Sequence, residues 1–323
     1  MAKPTVLVTR RWPEAVEAQL TENYDAVLNT GDKPLSMVEI QEALKTYDAV
    51  LPTVTDRLND ETLDIPAPKA KILANYGVGY SHISEQAARN LGLTVTNTPE
   101  VLSECTADLA MTLLLMAARR AGEGERELRA GDWTGWRPTH LIGTKASGKT
   151  LGIIGYGRIG QEMARRAHHG FGMKIVVQDL YPVDPATLAQ CEATQVDSVE
   201  ELLPLCDFVS LHCFGGDENR HLINSDRLSL MKPGAILINT ARGEIIDELA
   251  LAQALKSGSI GGAGLDVFEA EPKVNPELMQ CNNAVILPHL GSATRETREA
   301  MGFRVLDNLG DFFEGREPRD RVI

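Results

Sequence analysis

Three stretches in the second half of the chain end in residues that can hold an anion and move a proton. Residues 236–240 run into Ala241-Arg242-Gly243. Residues 264–268 run into Glu269-Ala270-Glu271-Pro272, and residues 285–287 into Pro288-His289-Leu290-Gly291. An arginine fork can grip a carboxylate through two parallel hydrogen bonds. A histidine exchanges a proton near neutral pH. A carboxylate beside that histidine fixes its tautomer and favours the imidazolium. Together, Arg242, Glu271 and His289 are the set that reduction of a 2-keto acid requires. Singly, each has a plainer reading: Arg242 as a salt-bridge residue, Glu269 or Glu271 as a loop charge, His289 as a satisfied core histidine.

A stretch upstream supplies the missing half of that chemistry. The apolar run 151–154 leads into Gly155-Tyr156-Gly157-Arg158-Ile159-Gly160, a helical pattern follows to about His169, and a second strand-like run ends at Asp179. A lone G-x-G-x-x-G means little. Leaving a strand, opening a helix and meeting an acid about 20 residues on, it reads as a dinucleotide loop. Gly155 allows the tight turn, Gly157 lets the backbone approach a pyrophosphate, and Gly160 permits close helix–strand packing. The helix N-terminus offers N–H groups and partial positive charge to the pyrophosphate. Asp179 accepts from both ribose hydroxyls and repels a 2′-phosphate, so the expected cofactor is NAD(H), preferred over NADP(H). A second nucleotide pattern, Gly143 to Thr150, matches G-x-x-x-x-G-K-[ST]. It follows a Pro-containing loop and enters a strand, the reverse of a working phosphate loop, and ATP binding is rejected.

The elements that must position these residues alternate. Short β-type runs at 5–9, 26–28, 49–51, 71–74 and 94–96 have helical stretches between them, one opening on the capping box Ser36/Glu39, another expected over 82–91. That alternation predicts a small open α/β domain with a parallel sheet. After its fourth run stands Asn75-Tyr76-Gly77-Val78-Gly79-Tyr80, whose glycines would leave N–H groups for a small anion, or simply make a tight turn. A long helix is expected over about 103–120, crossing between domains, with the charged segment to Gly131 as its extension. The loop 132–138 carries Trp133 and Trp136, an interface or pocket wall if not local packing. From 151 onward six strands are expected, at 151–155, 174–178, 207–212, 235–240, 261–267 and 284–287, a full doubly wound domain. A last helix, about 294–313, is expected to return to the first domain.

Composition bounds the rest. The 323 residues suggest about two domains. The net charge of −13 argues against nucleic acid and anionic membranes as partners and means that an anionic substrate needs a local cationic site. The start MAKPTVLVTR shows no signal-peptide pattern, and no apolar run spans a bilayer. Five scattered cysteines without C-x-x-C read as reduced thiols, so a cytoplasmic location and no metal are expected.

GYGRIG, INTARG, DVFEAEP and PHLGSAT, in this order, resemble the D-isomer-specific 2-hydroxyacid dehydrogenase family over nearly the whole chain. The resemblance implies two doubly wound parallel-sheet domains. A Rossmann dinucleotide domain (99–290) is inserted into a smaller flavodoxin-like substrate domain (1–98 and 291–323). It implies Arg242 as substrate anchor, His289 as acid/base with Glu271 as its partner, and substrate carboxylate on the amides of Val78 and Gly79. Thr106, Gly155, Gly157, Arg158, Ile159, Gly160, Asp179, Thr240, Asp266, His289 and Gly291 fall where the family contacts the cofactor. The Trp133-x-x-Trp136-x-Pro138 loop resembles the glyoxylate/hydroxypyruvate reductase branch, in which the second tryptophan, here Trp136, enters the partner's active site. The implied protein is a homodimer that reversibly reduces a small 2-keto acid, glyoxylate or hydroxypyruvate, to the D-2-hydroxy acid with NADH. Alternatives are enzymes like D-3-phosphoglycerate or formate dehydrogenase, and a non-catalytic NAD sensor of the corepressor type. One departure stands out. Where the family carries a proline two residues past the strand ending at 212, this chain has Phe214, followed by Gly215-Gly216.

Overall fold

The computed structural model describes residues 2–323, which divide into two compact units, residues 2–102 with Ser292–Ile323, and Ser103–Gly291. In the first unit the strands are β1 (Thr5–Val8), β2 (Asp25–Val27), β3 (Ala49–Leu51), β4 (Ile72–Ala74) and β5 (Thr94–Thr96). They form one parallel sheet in the order β2-β1-β3-β4-β5, the flavodoxin-like arrangement. β3 and β4 are buried along their whole length, as strands covered on both faces must be. The helix Arg295–Phe313 belongs to this unit and packs on β4 and on the helix Glu14–Asn23. A methyl on its Gly302 would stand 2.6 Å from Val16 Cγ1, so the two helices meet there at close quarters. The chain's end covers the edge of β5, with the Val322 amide donating to Val95 O at 2.8 Å.

In the second unit the strands are β6 (Thr150–Ile154), β7 (Lys174–Gln178), β8 (Thr194–Val196), β9 (Phe208–Leu211), β10 (Ile236–Asn239), β11 (Gly262–Leu265) and β12 (Ala284–Ile286). All are parallel, in the order β12-β11-β10-β9-β6-β7-β8, so the winding reverses between β6 and β9. Such a reversal opens a crevice at the carboxyl ends of the strands, where doubly wound sheets bind their ligands. The helix Ser103–Ala118 lies across β10 and β11, and Gly264 makes room for it, since a methyl there would meet Leu113 Cβ at 2.8 Å.

The structure corrects four expectations. This sheet has seven strands, not six: the extra one, β8, is a partly exposed Thr-Gln-Val edge strand with no apolar run to announce it. The charged segment after Ala118 is not an extension of the long helix but a separate helix, Ala121–Ala130. Arg120 breaks the two by taking a left-handed conformation (φ 53°), and Gly131 (φ 78°) closes the second. The long helix packs within the second unit instead of serving as a crossing element. The helix expected from His82 begins at Glu85, capped by the Ser84 hydroxyl, which accepts from the Ala87 amide. The Gly143–Thr150 segment enters β6 directly, with no helix after it.

Candidate active site

The glycine loop joins β6 to the helix Arg158–Arg165. Gly155 takes φ 90°, and a methyl on it would lie 2.5 Å from the Cys213 nitrogen on the neighbouring strand end. A methyl on Gly160 would lie 2.3 Å from Gly155 O, so the helix seats directly on the turn. Gly157 is the opposite case, with nothing within 4 Å of where its Cβ would be. The loop is therefore packed hard on both sides and open at its middle glycine, the pattern of a loop whose backbone a phosphate group can approach. Asp179, just past β7, is aimed by the loop itself: Oδ2 accepts from the Tyr156 amide at 2.6 Å and Oδ1 from the Tyr181 amide at 3.2 Å. Just past β9 and β10, His212 Nδ1 and Thr240 Oγ1 are buried without a protein partner. Orphaned polar atoms at these strand ends fit a site that receives a polar ligand.

Arg242, Glu271 and His289 follow three consecutive strands, β10, β11 and β12. His289 Nδ1 pairs with Glu271 Oε2 at 2.8 Å, and the second carboxylate oxygen accepts from the Phe268 amide at 3.0 Å. This resolves which acid partners which histidine, for Glu269 pairs instead with Arg220 and His221. Burial opposes ionisation of Glu271. The hydrogen bond and charge of His289, the Phe268 amide and the charge of Arg242 outweigh it, and the carboxyl lies below its usual range. With Nδ1 engaged by the carboxylate, Nε2 is the nitrogen left to exchange a proton. Arg242 is desolvated, which pulls its pKa down, while Glu244 and Glu271 pull it back up. A guanidinium stays charged under such a shift, so the site keeps a cation in an acidic protein.

In the first unit, the 76–79 loop is held by its carbonyls. Asn75 Nδ2 donates to Gly77 O at 2.9 Å and Gly79 O at 3.1 Å, and Asn97 Nδ2 donates to Val78 O at 2.9 Å. With the carbonyls turned to these amides, the N–H groups of Val78 and Gly79 are left to other partners. In the second unit, Glu127 anchors the tryptophan loop through His140 (2.7 Å) and Arg137 (3.8 Å), and Trp136 stands 81% exposed.

The family model "D-isomer specific 2-hydroxyacid dehydrogenase, NAD binding domain" matches residues 111–291. The chain belongs to this family. It is thus a 2-hydroxyacid dehydrogenase with a nicotinamide cofactor. It is 45% identical to a glyoxylate reductase of Thermococcus litoralis, across 99% of this chain and 97% of that one. It is 37% identical to a glycerate dehydrogenase of Hyphomicrobium methylovorum, across 98% of both. A solved NADPH-dependent glyoxylate/hydroxypyruvate reductase of Sinorhizobium meliloti, in complex with NADP and malonate, superimposes with a TM-score of 0.88 at 33% identity, covering 99% of this chain and 97% of that one.

Two residues that position the dehydrogenase's site were not read as such from sequence. Asn239, fully buried at the end of β10, donates from Nδ2 to Arg242 O at 2.8 Å and accepts from the Ala241 amide at 2.9 Å, fixing the turn that presents Arg242. Asp266 was read as a cofactor contact. Its carboxylate accepts from the Leu290 amide (2.6 Å) and the Gly291 amide (2.8 Å), and its carbonyl accepts from the His289 amide. Burial pushes this carboxyl up, against those amides and the His289 charge. Asp266 thereby holds His289 at φ 55°, a left-handed conformation that a side-chain-bearing residue keeps only under such constraint. A methyl on Gly291 would lie 3.3 Å from Asp266 Oδ2, so the turn sits close against that carboxylate. His212, finally, is no rival acid: burial pulls it to about 4, so it is neutral near pH 7, with Nε2 on Ser210 Oγ at 2.8 Å. The signal for the first two was the types INT and DVF within the matched motifs. Their partners could be found only in three dimensions.

Proposed function

We propose that the chain reduces small 2-keto acids, glyoxylate and hydroxypyruvate foremost, to D-2-hydroxy acids with NADH, reversibly. The observation that carries this reading is the His289–Glu271 hydrogen bond on the strand ends next to Arg242. When bound, the dihydronicotinamide supplies the hydride for the carbonyl carbon. Gly155, Gly157, Gly160 and the first turn of the following helix hold its pyrophosphate. Asp179 holds the ribose, and Thr240 Oγ1 is a partner for the cofactor's polar atoms. Arg242 grips the substrate carboxylate and steadies charge developing on the carbonyl oxygen. His289 delivers a proton from Nε2 to that oxygen as it becomes an alkoxide. Glu271 keeps the imidazole in the donating tautomer and supplies the counter-charge. The Val78 and Gly79 amides are the first unit's anion-binding element.

The preference for NADH rests on Asp179, whose charge disfavours a 2′-phosphate. A homodimer, with Trp136 seated on the partner, rests on the exposure of that side chain. A cytoplasmic location rests on five cysteines that form no disulfide among the described residues. The test is NADH oxidation with glyoxylate, hydroxypyruvate, pyruvate, phenylpyruvate and 3-phosphohydroxypyruvate, repeated with NADPH. Turnover of glyoxylate or hydroxypyruvate, faster with NADH, is the expected result. Faster turnover of 3-phosphohydroxypyruvate, or none at all with NADH still bound, would overturn it.

A further inference from the structure

The loop after β9 departs from the family pattern at Phe214-Gly215-Gly216, and the structure shows what lies against it. A methyl on Gly215 would stand 2.8 Å from Arg242 Cγ, 3.1 Å from Arg242 Cβ and 2.3 Å from Glu244 Oε1. The hydrocarbon stem of Arg242 therefore runs directly over the bare α-carbon of Gly215. Glu244 fastens the loop in that place from two points. Its Oε1 accepts from the Gly216 amide at 3.2 Å, and its carbonyl accepts from the His221 amide at 2.8 Å. Gly216 takes φ 105°, open to glycine and rarely to other residues. Asn219 Nδ2 closes the loop onto Phe214 O at 2.9 Å. The charge of Glu244 also acts on the guanidinium, favouring its charged form.

We infer that Gly215 and Glu244 are positioning residues for the keto-acid carboxylate: together they hold the stem of Arg242 in one conformation, with the Gly215–Gly216 loop as its back wall. The inference rests on the reading of Arg242 as substrate anchor and deepens it. Its physical core is that an arginine carries several rotatable bonds. A fork that must meet a carboxylate at two points loses affinity unless something restricts them. Asn239 fixes where the stem begins. The glycine wall and Glu244 fix where it goes.

The variant G215A tests this. Arg242 Cγ must retreat about 0.6 Å to reach an ordinary van der Waals contact, which moves the fork at its tip by more. A misplacement of about 1 Å can cost a factor of about 100. The expected result is a rise of about 10- to 100-fold in KM for glyoxylate. The Kd for NADH, read by fluorescence, should be unchanged, and kcat should fall as well, because the same guanidinium steadies the developing alkoxide. The same substitution in an R242A background should add nothing further, because the guanidinium through which Gly215 and Glu244 both act is gone. In parallel, E244A should raise KM for glyoxylate, and E244Q, which keeps an oxygen for the Gly216 amide, should restore most of it. If R242A leaves KM unaltered, the anchor reading fails and this inference with it. If R242A raises KM while G215A and E244A do not, the anchor stands and the inference is refuted. If G215A does not fold, the E244A/E244Q pair decides on the same readout.

Discussion

Replacing Glu271 by glutamine is the sharpest probe of the proton donor. The carboxylate serves two donors with two oxygens, Oε1 to the Phe268 amide at 3.0 Å and Oε2 to His289 Nδ1 at 2.8 Å. Glutamine offers one oxygen and one NH₂, so one of the two donors must face another donor. If the amide satisfies Phe268, its NH₂ turns to His289 and selects the wrong tautomer. If it satisfies His289, the backbone amide is left unpaired. Either way a charge-assisted hydrogen bond, about 1.5–3 kcal/mol, is lost or made neutral. The side chains of His289 and Glu271 are 32% and 30% exposed, so water screens part of this and the low end applies. About 1.5–2.5 kcal/mol corresponds to a fall in kcat of about 10- to 70-fold. The assay is stopped-flow reduction of glyoxylate from pH 4 to 9, with NADH affinity measured alongside. The pH sign follows from the carboxylate. Its pKa in the folded protein lies below the ordinary 4.5, so the charged pair is complete above that value and is lost only as pH falls beneath it. The wild-type rate of reduction should therefore hold on the acid side down to about pH 4.5. In E271Q the acid-side loss should be absent, because glutamine has no carboxyl to protonate. An unchanged kcat together with an unchanged pH profile would show that Glu271 is not the partner of the acid.

Three further outcomes are expected. H289A should bind NADH as the wild type does while kcat falls by about 10²- to 10⁴-fold, measured under saturating glyoxylate; unaltered turnover would remove His289 from the chemistry. D266N should lose one of the two amide bonds that hold the 289–291 turn. Thermal melts should then show a loss of about 1–3 kcal/mol together with lower kcat, and a variant as stable and as fast as wild type would contradict the positioning role. D179S should narrow the ratio of kcat/KM for NADH over NADPH by removing a charge near the 2′-hydroxyl. The same ratio in wild type and variant would take Asp179 out of the discrimination.

What was legible in the sequence was what is local or periodic. Strand–helix alternation announced two parallel sheets, because strands buried on both faces read as apolar runs. The spacing of Gly155, Gly157, Gly160 and Asp179 announced a dinucleotide loop, because turn, close approach and helix packing each need a glycine at a fixed offset. The types at 242, 271 and 289 announced proton and anion chemistry, because few residues can do either. The tertiary structure decided what depends on which atoms face each other. It chose Glu271 over Glu269 for His289, since the Phe268 amide holds Glu271 in place while Arg220 and His221 engage Glu269. It added β8, an edge strand whose three residues pair with β7 without any apolar signature. It broke the long helix at Arg120 through a backbone conformation that residue type did not foretell. It turned Asp266 toward the His289 turn and laid Arg242 over Gly215, contacts between residues 23 or more apart in the chain. Sequence spacing constrains neighbours along a strand or helix; packing across strand ends, where the chemistry is assembled, is set only when the whole sheet closes.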